Sequence, residues 1–167
     1  QCGDTSGHGW HAGMSPPTPL VRLRGLFGNA LSLSGSHLLR VSEQIPLAHG
    51  AGISLSAWTK PTELSSYREI FRKEDGNDRV LFSFQNDGTI LSLGLNVGGY
   101  VECDAKITPE RVRDGRWHHC AATFDGRTMR VYLDGDEIGS MERPGAVQAG
   151  GGAPGCIGSS NGGECFQ

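Results

Sequence analysis

The sequence has no long apolar run and no extended stretch in which apolar residues recur every 3.6 residues. No segment approaches the ~18 apolar residues of a membrane-spanning helix, so no membrane span is expected. Acidic and basic residues are interspersed and give a formal net charge of −3, which argues against the basic surface of a nucleic-acid-binding protein. With 26 glycines and 7% aromatic residues among 167, the composition is typical of a single all-β domain with many short strands and turns.

Familiar catalytic motifs are also missing. The chain contains no phosphate-binding loop, no dinucleotide fingerprint and no G-x-S-x-G elbow. His118 and His119 are adjacent, so they point to opposite faces of a strand and do not together form a catalytic arrangement. The sequence therefore predicts no enzyme activity.

The five cysteines form no C-x-x-C pair and have no histidine at zinc-finger spacing, so a structural zinc site is not expected. Cys103 and Cys120 fall on successive predicted strands, and Cys156 and Cys165 bracket a glycine-rich turn. Both pairs are predicted to form disulfides, which would indicate an oxidising compartment. The alternative is that these residues are buried reduced thiols. Cys2 has no predicted partner.

Residues 115–138 are predicted to form a meander of three strands. Asp125-Gly126 and Asp134-Gly135 are flanked by β-branched, aromatic or aliphatic residues, the pattern of a hairpin closed by a two-residue type I′ turn. Between the turns, alternation places three apolar side chains on one buried face of the middle strand: Met129, Val131 and Leu133.

This stretch, with WHHCAATFDG followed by YLDG, resembles the signature of laminin-G-like jelly rolls in the concanavalin A-like lectin/glucanase superfamily. Similar fragments are FGNALSLSG at 27–35, GISLSAWTKP at 52–61 and CIGSSNGGECFQ at 156–167. The resemblance implies a two-sheet antiparallel β-sandwich of jelly-roll topology with 11 to 13 strands. It implies one laminin-G-like domain spanning residues 1–167.

The family resemblance also implies a function. We expect a non-catalytic recognition module that binds glycan or protein and is extracellular, at the cell surface or periplasmic. The alternative is a structural or assembly module of a larger surface protein or filament. Hydrolases of this superfamily carry an E-x-D-x-x-E strand, whereas here Glu102 and Asp104 are followed by Ile107, so the third carboxylate is missing.

Loops are the predicted ligand sites, because loops on a rigid sandwich carry most recognition. Ser34 and His37 occupy the turn where calcium-binding relatives carry aspartates, which makes the usual calcium site of the family doubtful here. Glu74, Asp75 and Asp78 cluster carboxylates at a second turn, and Asp75 and Asp78 are the candidate ligands if calcium is a cofactor. Such residues also dominate ordinary turns. The third candidate is the glycine-rich loop 143–153, expected to be flexible.

Trp58 and the segment 8–11 contain aromatic residues that are expected to have structural roles rather than to bind a ligand. Trp58, on a predicted strand, is expected to be a core residue rather than a platform for stacking sugars. His8, Trp10 and His11 are close in sequence, but in the resembled family this position is a loop whose residues pack locally. They are therefore not expected to form a metal site.

The ends of the sequence carry one more expectation. Relatives have one strand before the segment that corresponds to residues 4–7 (DTSG) and another after the segment that corresponds to residues 165–167 (CFQ). Both would be absent from residues 1–167 and would leave an open sheet edge. We therefore expect other parts of a longer polypeptide, or a neighbouring chain, to supply strands by β-augmentation.

Overall fold

The computed structural model describes residues 2–15, 21–33, 37–41, 45, 47 and 52–167. Within that part the chain forms thirteen strands and one short helix, α1 (Pro109–Val112). The strands are β1 (Ala12–Ser15), β2 (Arg22–Arg24), β3 (Asn29–Leu31), β4 (Leu38–Val41), β5 (Ile53–Thr59), β6 (Arg68–Asp75), β7 (Asp78–Gln85), β8 (Ile90–Asn96), β9 (Tyr100–Lys106), β10 (His118–Phe124), β11 (Thr128–Leu133), β12 (Asp136–Glu142) and β13 (Cys156–Ile157). The expected all-β class and strand number are confirmed.

The strands form two main sheets and a separate hairpin. The larger sheet has seven strands in the order β1-β4-β13-β6-β7-β8-β9, and the smaller has four in the order β12-β11-β10-β5. Within the described ranges, strands β2 and β3 pair only with each other. All pairings are antiparallel, as predicted for a two-sheet jelly-roll sandwich.

The main core lies between the two sheets and follows the period-2 alternation of their strands. On β7, Val80, Phe82 and Phe84 are fully buried, and the inward residues of β8 are equally inaccessible. The predicted apolar face of β11, which carries Met129, Val131 and Leu133, is also fully buried. Each such side chain stabilises the fold by about 1.5–3 kcal/mol relative to an exposed position.

Only one of the two predicted type I′ turns is present. At the β11–β12 turn, Asp134 and Gly135 have φ of 56° and 94°, as that turn requires. The β10–β11 connection is instead a three-residue loop, because the Asp125 carboxylate accepts hydrogen bonds from the backbone N–H groups of Arg127 and Thr128 at 2.9 and 2.7 Å. This side-chain bond gives the aspartate an alternative to positive φ.

The predicted disulfides are absent, and all five cysteines are free thiols. Cys103 and Cys120 lie on successive strands, but those strands belong to opposite sheets, because α1 lies in the connection from β9 to β10. The Cys120 sulfur contacts Thr59 Oγ1 at 3.4 Å, and the Cys165 sulfur lies 3.6 Å from Ser159 Oγ. Cys156 is buried on β13.

Near the N-terminus, His8 stacks on Trp10 with ring centroids 4.6 Å apart. The Asp4 carboxylate accepts the backbone N–H of Trp10 at 2.9 Å, and the Asp4 N–H donates to His11 Nδ1 at 2.9 Å. The local packing expected for this segment is confirmed. No helix among the described residues is long and apolar enough to cross a membrane.

Candidate functional site

The outward face of the seven-stranded sheet carries many polar side chains, with Leu81 and Gly94 between them. Directly paired residues in an antiparallel ladder share a face, so the register from β6 to β9 identifies the residues opposite the core. We use the name polar face for nine of these residues: Arg72, Glu74, Arg79, Ser83, Gln85, Ser92, Tyr100, Glu102 and Asp104. Ser83, Gln85 and Ser92 are buried, so the longer side chains lie above a polar floor.

Arg72 organises one end of the polar face. Its guanidinium donates to Glu69 at 2.8 Å, to Glu74 at 2.8 Å and to Glu164 at 2.9 Å. Glu74 also pairs with Arg79. Burial pushes the pKa of Glu74 upward, but hydrogen bonds from Arg72 and Arg79 prevail and lower it. The carboxylate of Glu74 is therefore already neutralised by two arginines.

Glu69 is the most deeply buried carboxyl group beside this cluster, with 1% of its surface exposed. Burial raises its pKa to about 8, and the neighbouring Glu164 adds to the rise, although Arg72 opposes it. Its Oε2 atom has no hydrogen-bond partner among the residues that the structure describes. Glu69 is thus able to hold a proton near neutral pH.

The other end of the polar face is built around Tyr100. The Arg79 guanidinium lies 4.4 Å from the centre of the Tyr100 ring, a cation–π distance. The Tyr100 hydroxyl donates to Glu102, and burial together with that bond raises the tyrosine pKa. A Cβ at Gly94 would lie 2.4 Å from the hydroxyl, so only glycine leaves room for the ring on β8. Ser92 Oγ donates to Asp104 at 2.6 Å.

The turn predicted as a ligand site is packed against loop 143–153. Asp75 and Asp78 are opposite each other at the β6–β7 turn. Asp75 Oδ2 accepts the backbone N–H of Gly152 at 2.8 Å. The buried ammonium of Lys73 donates to three carbonyls of the loop, at 3.2, 3.2 and 2.7 Å, which belong to Gly150, Gly151 and Ala153.

Loop 143–153 is therefore held at both ends, contrary to the flexible loop expected from its glycines. Arg143 donates to the carbonyl of Val97 at 2.8 Å, and Val147 and Ala149 are buried in the main core. The sequence did not reveal these contacts, because the residues that hold the loop lie far away along the chain.

The first predicted turn is only partly described. Ser34 lies outside the described residues, and His37 is half-buried immediately before β4. Among the described residues, no group of three or more His, Cys, Asp or Glu side chains is arranged to hold a metal ion. The calcium site stays a prediction.

His118 is held between two aspartates. Its Nδ1 lies 2.8 Å from Asp134 Oδ2, and its Nε2 lies 3.0 Å from Asp114 Oδ1. Burial lowers the pKa of His118, but the two carboxylates outweigh burial and raise it. Both ring nitrogens are thus engaged, and neither is left to activate a serine or cysteine.

A second exposed feature lies on the four-stranded sheet. Trp58 is 46% exposed rather than in the core, because it shares the outward face of β5 with Ser54 and Ser56. Its ring lies 5.1 Å from that of His119 and 6.0 Å from that of Phe27. We call Phe27, Trp58 and His119 the aromatic cluster.

Beneath the aromatic cluster lies a cavity of about 620 Å³. It lies where the β2–β3 hairpin, the edge of β5 away from β10, and strands β4 and β13 approach one another. Its walls are mostly apolar and include Leu31, Leu39, Ala57, Ile157 and Phe166. Sequence reasoning missed this space, because a cavity depends on how strands distant along the chain pack together.

Comparisons with known proteins bear on the fold. The family model Laminin_G_3, described as the concanavalin A-like lectin/glucanases superfamily, matches residues 33–167. No curated protein sequence matches the chain.

Three solved structures illustrate the likeness. Domain 4 of AbnA, a GH43 extracellular arabinanase from Geobacillus stearothermophilus in complex with arabinotriose, is 23% identical with a TM-score of 0.66, over 84% of this chain and 66% of that one. The binding domain of Paraclostridial Mosquitocidal Protein 1 is 14% identical with a TM-score of 0.72, over 98% and 43%. Mouse laminin alpha1 domains LG4-5 are 15% identical with a TM-score of 0.56, over 91% and 35%.

The chain spans less than two thirds of each of these three structures. At such identities the likeness shows the fold alone. The family match covers most of the chain and agrees with the two-sheet architecture. The chain therefore belongs to the laminin-G-like branch of the concanavalin A-like lectin/glucanases superfamily.

Proposed function

We propose that this chain is a non-catalytic, extracellular recognition module that binds a glycan on its polar face. The observation that carries the proposal is the row of hydrogen-bonding side chains across four neighbouring strands, from β6 to β9. Rigid strands hold these groups in a fixed pattern, which favours recognition over adaptable contact.

The chemistry of the polar face suits a ligand rich in hydroxyl groups. Glu102 and Asp104 present carboxylate oxygens that accept hydrogen bonds, whereas Arg79 presents N–H groups that donate them. The half-exposed ring of Tyr100 adds an amphipathic surface with a polar tip. A sugar offers donors, acceptors and apolar ring faces within one residue, and the polar face offers the complement of each.

The absence of catalysis is part of the proposal. Glu102 is bonded to Tyr100, and Asp104 is bonded to Ser92. The position of the third acid in the hydrolase pattern is Ile107. The likeness to a domain solved with arabinotriose supports a glycan ligand, and the extracellular arabinanase and laminin domains among similar structures support an extracellular place.

The test begins with a glycan array probed with residues 1–167. The best ligand is then titrated against Arg79→Met and against Arg130→Met, an arginine of the other sheet that is also paired with a carboxylate. We expect Arg79→Met to weaken binding by roughly tenfold or more, since it removes a charged donor, and Arg130→Met to leave it unchanged.

Two results would contradict the proposal. Binding that survives Arg79→Met but disappears in Trp58→Ala would place the glycan on the aromatic cluster instead. Turnover of a polysaccharide that is abolished by Glu102→Gln would show that the polar face is catalytic.

A second candidate function is a structural or assembly module of a larger surface protein or filament, completed by strands from elsewhere. The exposed apolar side chains of the β2–β3 region favour it: Val21, Leu23, Leu26 and Phe27. A protein ligand would use the same surface, because contiguous exposed apolar residues mark interaction sites.

A further inference from the structure

The β2–β3 hairpin ends in an apolar turn. The turn spans residues 25–28 and is closed by the Gly25 N–H, which donates to the Gly28 carbonyl at 2.9 Å. Its two central residues, Leu26 and Phe27, are 47% and 76% exposed. Glycine, proline, asparagine, aspartate and serine are the usual residues of such turns, so the geometry of the turn does not require a leucine and a phenylalanine here.

The apolar surface of the turn continues onto neighbouring residues. Leu23 on β2 is half-exposed, and the Phe27 ring meets the ring of Trp58 edge-on, with centroids 6.0 Å apart. We call Leu23, Leu26, Phe27 and Trp58 the apolar tip. Single exposed apolar residues are ordinary on a protein surface, whereas contiguous ones mark interaction sites.

The surroundings of the apolar tip are basic. Arg22, Arg24 and Lys60 are exposed beside it, and none of them makes an ion pair with a residue in the described part of the chain. Residues 5–42 contain no aspartate or glutamate. The local charge is therefore positive although the net charge of the whole chain is −3.

This combination favours one kind of partner. Apolar side chains that enter the boundary between headgroups and acyl chains, together with nearby cations that attract anionic lipids, are the two components of peripheral membrane binding. Tryptophan is enriched at that boundary because its ring is apolar and its N–H is polar. A stable protein interface needs roughly 800 Å² from each partner, which is more than four side chains at a narrow turn provide.

We propose that the apolar tip docks reversibly on a lipid bilayer that carries anionic headgroups. Leu26 and Phe27 enter the bilayer surface, Trp58 lies at the interface, and Arg22, Arg24 and Lys60 contact the headgroups. The chain lies on the bilayer and does not cross it. The apolar tip shares no residue with the polar face, so this docking is tested independently of glycan binding.

The first experiment measures how residues 1–167 partition onto vesicles in a co-sedimentation assay. One set contains about 70% phosphatidylcholine and about 30% phosphatidylglycerol, and the other is pure phosphatidylcholine. We expect binding to the anionic vesicles to be at least tenfold tighter. Raising sodium chloride from about 0.05 M to about 0.5 M should weaken that binding at least tenfold, because salt screens the cations.

Protein variants separate the apolar and the basic contributions. Phe27→Ser should weaken binding to the anionic vesicles at least tenfold, whereas Tyr67→Ser, an exposed aromatic residue outside the apolar tip, should not change it. Arg22→Gln with Arg24→Gln should weaken binding roughly ten- to thirtyfold. The matched control is Arg113→Gln with Arg127→Gln, two exposed arginines elsewhere on the chain. Thermal unfolding checks that each variant is folded.

A fluorescence measurement reports insertion directly. Phe27→Trp places an indole in the turn, and its added emission should shift to shorter wavelength with anionic vesicles. Lipids brominated on their acyl chains should quench it. Emission that stays unshifted and unquenched on bound vesicles would show electrostatic adsorption without insertion and would contradict the proposal.

Four further outcomes would overturn the proposal. The first is no partitioning at millimolar lipid, and the second is equal binding of wild type and Phe27→Ser. The third is complete competition by millimolar glycerol phosphate, which would identify a soluble phosphate as the ligand in place of a bilayer. The fourth is self-association of the lipid-free protein that Phe27→Ser abolishes, because a second copy of the chain would then be the partner of the apolar tip.

Discussion

The centre of the sandwich and its β5 edge differ in how completely they are filled with side chains. At the centre, β7, β8 and β11 present fully buried side chains to one another, and Phe82, Leu93 and Val131 have no exposed surface. At the β5 edge, the hairpin of β2 and β3 leaves Leu23 and Phe27 more than half exposed above a cavity of about 620 Å³. The difference separates residues that stabilise the main core from residues that stay accessible at the surface.

The largest expected difference is in the free energy of unfolding of two phenylalanine-to-alanine variants. Phe82→Ala removes a fully buried ring and should lower the free energy of unfolding by about 3–5 kcal/mol. Phe27→Ala removes a ring that is 76% exposed and should change it by no more than about 0.5 kcal/mol. Urea unfolding measures both, and equal losses would mean that the β2–β3 hairpin is part of the main core.

Thiol reactivity gives a second contrast. Burial raises the pKa of Cys103 to about 11 and of Cys120 to about 12, so both thiols should resist iodoacetamide in the folded state. Cys2, which is half-buried and belongs to the small cluster near β1 and β4, should react at least tenfold faster.

The same labelling experiment checks the cysteine redox state. After denaturation without a reductant, mass spectrometry should find five labels, because all five thiols are free. Fewer labels under those conditions, restored by a reductant, would bring back the disulfides predicted from the sequence.

A third effect concerns pH and the buried carboxyl group of Glu69. Its folded pKa of about 8 is above the ordinary value of 4.5, so between these values the folded state binds more protons than the unfolded state. The free energy of unfolding should therefore decline as pH rises from about 5 to about 8. Glu69→Gln should remove part of that decline.

Two considerations sharpen the pH measurement. The pKa of His118 is also raised in the folded state. His118 therefore contributes stability that is present below its unfolded pKa of 6.5 and is lost as pH rises through the folded value. The Glu69→Gln variant keeps this contribution. The exposed Glu110→Gln serves as the matched control. A pH profile identical in wild type and Glu69→Gln would mean that Glu69 is ionised throughout.

The smallest expected effect is that of calcium. The Glu74 carboxylate is ion-paired with two arginines. Asp75 and Asp78 are therefore the remaining carboxylates of that turn that calcium could contact. We expect millimolar calcium to raise the melting temperature by no more than about 2 °C. A larger rise that disappears in Asp78→Ala, but not in the exposed Asp136→Ala, would establish a cation site there.

Much of the fold could be predicted from short-range pattern. The alternation around Met129 and the Asp134-Gly135 turn are local, so the sequence identified the β10–β12 meander correctly, apart from the Asp125 loop, where a side chain competes with the turn. The burial pattern of β5 was also visible, but its consequence for Trp58 was misjudged, because tryptophan is buried more often than not.

The candidate sites were harder to predict, since they depend on pairs distant along the chain. Arg72 and Glu164 meet only because β13 and the C-terminal segment return to β6. The disulfide prediction failed for the same reason: succession along the chain suggested hairpin neighbours, whereas Cys103 and Cys120 belong to different sheets. Register across sheets is not encoded in any local motif.

The ammonium group of Lys73 supplies a positive charge to loop 143–153. In many extracellular proteins a mobile divalent ion gathers carbonyl oxygens of this kind, and the ion can leave when its concentration falls. Here a covalently attached ammonium group gathers three carbonyls. A chelator cannot extract it and dilution cannot remove it, so the geometry of this loop should be the same in calcium-rich and calcium-poor surroundings.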